Sequence, residues 1–235
     1  MKLHVGTSGY SYKEWKGNFY PDDLPAKEML SYYSRRLPAV EINNTFYRLP
    51  QPTMIENWRD QVPASFRFSI KASQRITHIK RLKNCADETK YLLETAALLG
   101  ERLGVVLFQL PPNSKKDTDR LKDFLSSLPA TVRAAFEFRH ESWFDDEIFG
   151  LLREQDCSLV VSDTDEKPLT EIISTAGWGY LRLRRTAYDQ TDLKAWRQRV
   201  QDQKWKDAFV FFKHEDEGTG PKLAAQFIEM GEQFQ

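Results

Sequence analysis

Eight short apolar runs divide the chain at fairly regular intervals, at residues 2–8, 39–46, 67–72, 104–110, 134–139, 158–163, 179–184 and 208–214, and nearly all end in a charged or polar side chain. Most are separated by a stretch long enough for a helix, and strands alternating with helices favour parallel pairing through right-handed crossovers. Eight such units predict an α/β protein of the (β/α)8 TIM-barrel type, whose working residues lie at the C-terminal ends of the strands.

Length and composition fit one domain spanning residues 1–235. The chain is 40% hydrophobic, enough to fill a barrel core, and no Pro/Gly/Ser-rich linker or charge block divides it. No apolar run approaches the length of a membrane span, and the first residues lack a basic stretch followed by a long apolar segment. A cytoplasmic protein with no membrane partner is expected. Cys85 and Cys157 stand far apart, which argues against a disulfide framework, a structural zinc or a redox pair. With 34 basic and 34 acidic side chains the net charge is zero, so no global field points to nucleic acid or an anionic membrane.

Helices are expected over residues 25–36, 53–61, about 78–103, 119–128, 145–154, 192–203 and 222–234, with a shorter turn over 168–174. The third is the longest, its stripe carried by Leu82, Leu92, Leu93, Ala96 and Leu99.

Alternation within the strands is more informative than their existence, because successive side chains point to opposite faces. In Val40-Glu41-Ile42-Asn43 the aliphatic residues face the helices, leaving Glu41 and Asn43 toward the barrel axis. By the same reading Arg67, Ser69 and Lys71 face inward, as do Glu137, Arg139, Arg182 and Arg184; Gln109 and Asp163 end strands four and six in comparable positions. The last strand is apolar on both faces up to Lys213 and His214, which leaves its phase open.

A charge carried alone into a dry core costs several kcal/mol or more, so each of these must be paired, hydrated or binding something. One reading is a set of interior salt bridges, such as Glu41 or Glu137 with Arg182 or Lys71, to which the lower residues Arg67 and Arg182 are best suited. The other is a polar pocket in which Lys71, Arg139, Arg184 and Lys213 outnumber Glu41, Glu137 and Asp163. A cationic excess fits an anionic ligand, arginine giving bidentate contacts to carboxylate or phosphate.

Residues 6–15 are dense in glycine, hydroxyls and aromatics without forming a dinucleotide fingerprint or a P-loop. Tyr10, Tyr12, Trp15, Phe19 and Tyr20, with Phe46 and Tyr47, suit either stacking on a sugar or base or an apolar lid over the barrel. After strand eight, Lys213-His214-Glu215-Asp216-Glu217-Gly218-Thr219-Gly220-Pro221 resembles the glycine-rich phosphate loops of barrels, but its three carboxylates weaken that reading.

Six ordered motifs carry a resemblance over essentially the whole chain: Gly6-Thr7-Ser8-Gly9-Tyr10; Trp15-Lys16-Gly17-Asn18-Phe19-Tyr20-Pro21; Glu41 through Pro50; Gln109-Leu110-Pro111-Pro112; Glu137-Phe138-Arg139-His140-Glu141-Ser142-Trp143; and Ser162-Asp163-Thr164. They resemble the YecE-like family, domain-of-unknown-function family 72; Tyr10 stands where that pattern commonly has tryptophan. The resemblance implies a TIM barrel, sometimes grouped with sugar-isomerase-like and endonuclease-IV-like barrels, and brings no established activity.

Three functions follow. The first is an enzyme using acid/base chemistry on a small anionic or sugar-like substrate. Its catalytic candidates are Glu41, Glu137 and Asp163, and its binding candidates are Asn43, Tyr47, Lys71, Gln109, Arg139, Arg184, Lys213 and His214. The second is a metal-dependent phosphodiesterase on nucleic acid, disfavoured because only His4, His78, His140 and His214 are available and cations crowd the same mouth. The third is a non-catalytic ligand-binding protein. The sequence names no cofactor and no metal ligand set.

Overall fold

The computed structural model describes residues 1–167 and 171–232. Nine parallel strands form one sheet: β1 (Lys2–Ser8), β2 (Ala39–Ile42), β3 (Arg67–Lys71), β4 (Leu103–Gln109), β5 (Ala134–Glu137), β6 (Ser158–Leu159), β7 (Val161–Asp163), β8 (Trp178–Leu183) and β9 (Asp207–Phe212). Their order is β6-β5-β4-β3-β2-β1-β9-β8-β7. The two ends of that order are consecutive pieces of a single strand interrupted at Val160, whose N–H donates to the Phe136 carbonyl at 2.9 Å. The sheet therefore wraps into a nearly closed barrel, and the expected eight strands become nine because the sixth is split between β5 and β8.

Helices α1 (Met29–Ser34), α2 (Pro52–Asp60), α3 (Ala86–Ala97), α4 (Thr118–Ser127), α5 (Asp146–Glu154) and α6 (Gln190–Gln201) lie between strands, and α7 (Thr219–Glu232) follows the last one. Aspartates start three of them: the side chains of Asp117, Asp145 and Asp189 accept from backbone N–H groups of the first turn. The single helix expected from residue 78 to 103 is not formed. A π-helical turn (Arg75–Ile79) comes first, then Arg81, Leu82 and Asn84 adopt positive φ of 49°, 66° and 51°, so the helix restarts only at Ala86. The described part of the expected 168–174 turn, residues 171–174, has no regular structure; 168–170, like the expected C-terminal end of α7 at 234, lie outside the described residues.

The alternation read from the strands is realised as two apolar layers. Val40, Ile42, Phe68, Ile70, Phe108, Phe136, Leu181 and Leu183 face the helices, while Ala39, Val105, Leu107, Ala135, Val160, Trp178, Tyr180, Phe209 and Phe211 fill the barrel. The phase of the last strand is thereby settled, with Phe209 and Phe211 inward. Backbone proximity fixes one glycine: a Cβ at Gly6 would lie 1.8 Å from the Ala39 carbonyl oxygen on the neighbouring strand. Cys85 and Cys157 are both buried thiols. No described helix is long and apolar enough to cross a membrane.

Candidate functional site at the barrel mouth

Above the apolar filling, the strand ends turn polar together. Glu137 closes β5, while Glu41 and Arg182 each precede the last residue of their strands, β2 and β8. Glu41 and Glu137 are essentially inaccessible and Arg182 is 2% exposed. Arg182 joins the two carboxylates: one terminal nitrogen donates to Glu41 Oε1 at 2.8 Å, the other to Glu137 Oε2 at 2.6 Å. Glu41 also accepts from Ser8 Oγ at 2.7 Å, Asn43 Nδ2 at 3.1 Å and Tyr180 Oη at 2.7 Å. Glu137 Oε1 accepts from Arg184 at 3.1 Å and Arg139 Nε at 3.3 Å.

These bonds decide the protonation states. Burial, the largest single influence, pushes both glutamates toward the neutral acid, but the Arg182 guanidinium together with the hydrogen bonds of Tyr180 and Ser8 to Glu41, and with Arg184 and Arg139 beside Glu137, outweighs it, so both sit below the usual carboxylate range. Both are ionised at neutral pH. The divergence that would make one an acid and the other a base is absent, since both shift in the same direction.

Lys71 differs. It closes β3, half-buried, with Nζ 4.3 Å from the centre of the Phe46 ring. Among the described residues its ammonium makes no ion pair or hydrogen bond. Desolvation, then Arg182, brings its pKa down to about 8, against the pull of Glu41 and Glu137; Arg139 adds to the lowering. His78, raised into the same neighbourhood by the π-helical turn, meets Phe46 edge-on with ring centres 4.8 Å apart. Burial, then the charge of Lys71, lowers its pKa, so its imidazole is neutral at pH 7.

The other candidates divide. Asn43, Gln109, Arg139 and Arg184 join the cluster; Gln109 lies in register with Glu137, its amide near enough to favour the ionised carboxylate but short of full hydrogen-bond geometry. Lys213 lies at the rim, 3.8 Å from Glu215, and lines a cavity of about 1050 Å³ with Glu137, Arg139, Ser162 and Arg184. His214 also borders that cavity, where its Nε2 meets the Arg185 carbonyl at 2.7 Å.

Two candidates point elsewhere. Asp163 is in phase with Leu159 and Val161 and so faces the helices, where it accepts from Arg185 Nε at 2.8 Å, Tyr188 Oη at 3.0 Å and Trp196 Nε1 at 3.0 Å; its neighbour Ser162 faces inward to Arg184. Tyr47 is 75% exposed and it is Phe46 that reaches the cluster. Arg67 bonds the carbonyls of Ala64 and Phe66 at 2.9 Å each, with no carboxylate partner among the described residues. The aromatic loop packs on itself and on Tyr32 and Tyr33: Trp15 and Tyr20 are buried, and Tyr12 Oη donates to the Ser8 carbonyl.

Sequence reasoning missed His78 and the contributions of Ser8, Tyr180 and Ser162. Tyr180 and Ser8 are reachable from strand alternation, whereas a π-helical turn has no signature that would have found His78. Among the described residues, no group of three or more His, Cys, Asp or Glu is arranged to hold a metal ion.

A nearly closed parallel barrel with an ion-paired, cation-rich cluster at the C-terminal ends of its strands defines a single-domain TIM-like barrel protein. The chain belongs to the DUF72 family, described as proteins of unknown function, whose family model matches residues 4–235. It is 34% identical over 143 residues to the UPF0759 protein YecE of Escherichia coli K12, a match covering 60% of this chain and 50% of YecE, so the matched region spans about half the length of that relative. The UPF0759 protein YunF of Bacillus subtilis 168 is 24% identical across 97% of this chain and 94% of its own length. A crystal structure of a DUF72 family protein from Thermotoga maritima superposes with a TM-score of 0.81 at 27% identity, covering 99% of this chain and all of that one. Another, from Enterococcus faecalis, gives 0.80 at 20% identity with 98% of each chain covered, a likeness of fold.

Proposed function

We propose that the protein is an enzyme acting on a small anionic or sugar-like molecule at the C-terminal mouth, in which Glu41 and Glu137 fix the electrostatics and Lys71 is the group that changes protonation near neutral pH. The observation that carries this reading is where buried polar atoms are left without partners. Asn43 Oδ1, Gln109 Nε2, Arg182 Nε and Arg184 Nε all belong to the cluster, and together they are half of the eight such atoms identified among the described residues. A buried polar group without a partner costs about 1–3 kcal/mol, so their concentration in one layer marks where a ligand's polar groups would bond.

Charge gives the ligand its sign. Four cations, Lys71, Arg139, Arg182 and Arg184, face two carboxylates in the cluster. The two terminal nitrogens of Arg182 are taken up by the glutamates, whereas Arg139 and Arg184 each make one longer bond to Glu137 and keep donors in hand. A carboxylate or phosphoryl group bridging them gains charge-assisted bonds without breaking the Arg182 link.

The test is calorimetric titration with inorganic phosphate and a panel of sugar phosphates at low salt, on the wild type and Arg139→Gln. Because Arg139 is more than a third exposed, its replacement leaves the core intact. Salt-sensitive binding weakened about tenfold or more in the variant, as expected for losing about 1.5–3 kcal/mol from a charged hydrogen bond, supports the reading. Absence of saturable anion binding sinks it, and saturable binding with no chemical change in any bound compound sinks its catalytic half.

A further inference from the structure

We propose that Lys71 is an amine nucleophile and that the mouth takes a carbonyl compound carrying an anionic group, which Lys71 captures as a protonated imine. This rests on the reading of the mouth as an anion site and adds to it the reacting group and the substrate class.

Geometry carries the argument. Lys71 occupies the last position of β3, at the end of the barrel where the loops gather, so its Nζ is aimed at the mouth by the sheet itself. A lysine held for structure at such depth would be expected to pair with a carboxylate, and Glu41 and Glu137 are both near enough to act on it electrostatically. Both, however, are saturated by other donors: Glu41 by Ser8, Asn43, Tyr180 and Arg182, and Glu137 by three arginines. Lys71 is left over the apolar face of Phe46 with guanidinium groups nearby. Removal from water and a neighbouring cation are the two devices by which proteins turn an ammonium into a usable amine near neutral pH. The charged groups that bear on it are Arg182 from β8, Glu41 from β2, and Glu137 and Arg139 at β5, with the neutral His78 of the π-helical turn beside them; burial and these charges place its titration near pH 8.

The step balances with the groups present. The Lys71 lone pair adds to the carbonyl carbon and the carbonyl oxygen takes up a proton, giving a carbinolamine once the nitrogen loses one. Protonation of that hydroxyl and its departure as water leave the positively charged C=N bond to Nζ. In total an ammonium and a carbonyl give an iminium and water, with no oxidant or reductant. The neutral His78 imidazole, which meets the same Phe46 ring and lies near enough to Lys71 for its charge to be felt, is the group placed to take the proton from nitrogen and return it to the leaving hydroxyl. Arg139 and Arg184 would hold the anionic end, and the two fixed glutamates would stabilise the new cation.

The experiment uses glyoxylate, a small anionic aldehyde, with cyanoborohydride to reduce any imine to a stable secondary amine, and peptide mass spectrometry to locate it. At pH 7 Lys71 should be labelled on the order of 10- to 100-fold faster than exposed lysines such as Lys90, because far more of it is unprotonated. Its labelling rate should rise with a midpoint near pH 8, and inorganic phosphate should slow labelling at Lys71 alone. The Lys71→Arg variant should lose this fast label while keeping the surface background. Labelling of Lys71 no faster than the surface lysines, in a protein that binds phosphate calorimetrically, overturns this proposal and leaves the anion site standing. Failure of both labelling and phosphate binding overturns the two together.

Discussion

Replacing Glu137 with glutamine separates the mechanical role of the cluster from its chemistry, and its cost can be worked from the geometry. Glu137 is 1% exposed, and its two oxygens accept from Arg182, Arg184 and Arg139 at 2.6, 3.1 and 3.3 Å. Glutamine keeps one oxygen but turns the other position into an N–H donor facing an arginine N–H. At least one charge-assisted bond is therefore lost, and Arg182 keeps only Glu41 as its counter-charge. Breaking a buried pair by removing one partner costs about 3–5 kcal/mol. For a chain of this size roughly 2–4 °C of melting temperature goes with each kcal/mol, so the midpoint should fall by roughly 6–20 °C. The acid limb gives a second signature. Because the folded Glu137 pKa lies below its unfolded value, the stability it contributes is fully present above about pH 4.5 and is lost as the pH falls through the folded value, far below. The variant lacks that contribution, so its deficit against the wild type should shrink as the pH drops below about 4.5. Thermal unfolding followed by circular dichroism from pH 7 down to pH 3 reads both. A midpoint within about 2 °C of the wild type at pH 7, or a deficit that grows on acidification, would refute the assignment of Glu137 as the shared anchor of three arginines.

Lys71→Met should raise stability at pH 7, because the native protein holds the ammonium less well than water does. The gain should shrink as the pH rises from about 8 toward the ordinary lysine value of 10.5, and a gain independent of pH over that window would contradict the burial argument. His4, stacked on Phe209 with ring centres 4.6 Å apart, has its pKa brought down to about 4 by burial, against the pull of Asp207. Wild-type stability should accordingly fall as pH drops from 6.5 toward 4, and His4→Phe should flatten that slope in urea titrations; an unchanged slope would remove His4 as its source. Gly6→Ala must drive a methyl into the Ala39 carbonyl and should cost about 1–3 kcal/mol or more by chemical denaturation, whereas a neutral result would mean that the β1–β2 spacing is wrong.

The parallel barrel was readable because a strand buried on both faces leaves a continuous apolar run, and Glu41 and Glu137 were assigned inward because Val40, Ile42, Phe136 and Phe138 alternate with them without ambiguity. Asp163 escaped that logic. Residues 158–161 are apolar at three successive positions, so the phase cannot be taken from the pattern, and the inward residue is Ser162. The expected helix over 78–103 failed for a different reason: its apolar stripe is real in α3, but positive φ at Arg81, Leu82 and Asn84 breaks the chain before it, and of the three only Asn84 is a residue type that favours that conformation. Whether an interior charge is a structural pair or a site residue was undecidable from sequence, since both readings need the same residue types. Hydrogen-bond saturation separates them, and it assigns Arg182 to the first role and leaves Lys71 outside it.

The cluster also explains why charge is tolerated in a layer that other barrels fill with aliphatic side chains. Arg182 reaches Glu41 on β2 and Glu137 on β5, which lie on either side of it around the sheet, so the three side chains tie together strands that do not neighbour one another in the β-ladder. Such a buried triad adds little net stability compared with well-packed apolar residues of similar volume, since desolvation absorbs most of the Coulombic gain. What it does supply is position. With both carboxylates pinned by Arg182, Arg139 and Arg184 are held by Glu137 at the mouth and cannot collapse onto a nearer acid, and Lys71 is denied a counter-ion altogether. The same ion pairs that look purely structural in isolation thus keep the remaining cations oriented and under-neutralised, a precondition for holding an anion and for an amine to lose its proton near pH 8. On this argument, replacing the whole triad with apolar residues would leave a barrel of similar stability whose Lys71 no longer feels Arg182 and has neither glutamate to keep a bound cation in place.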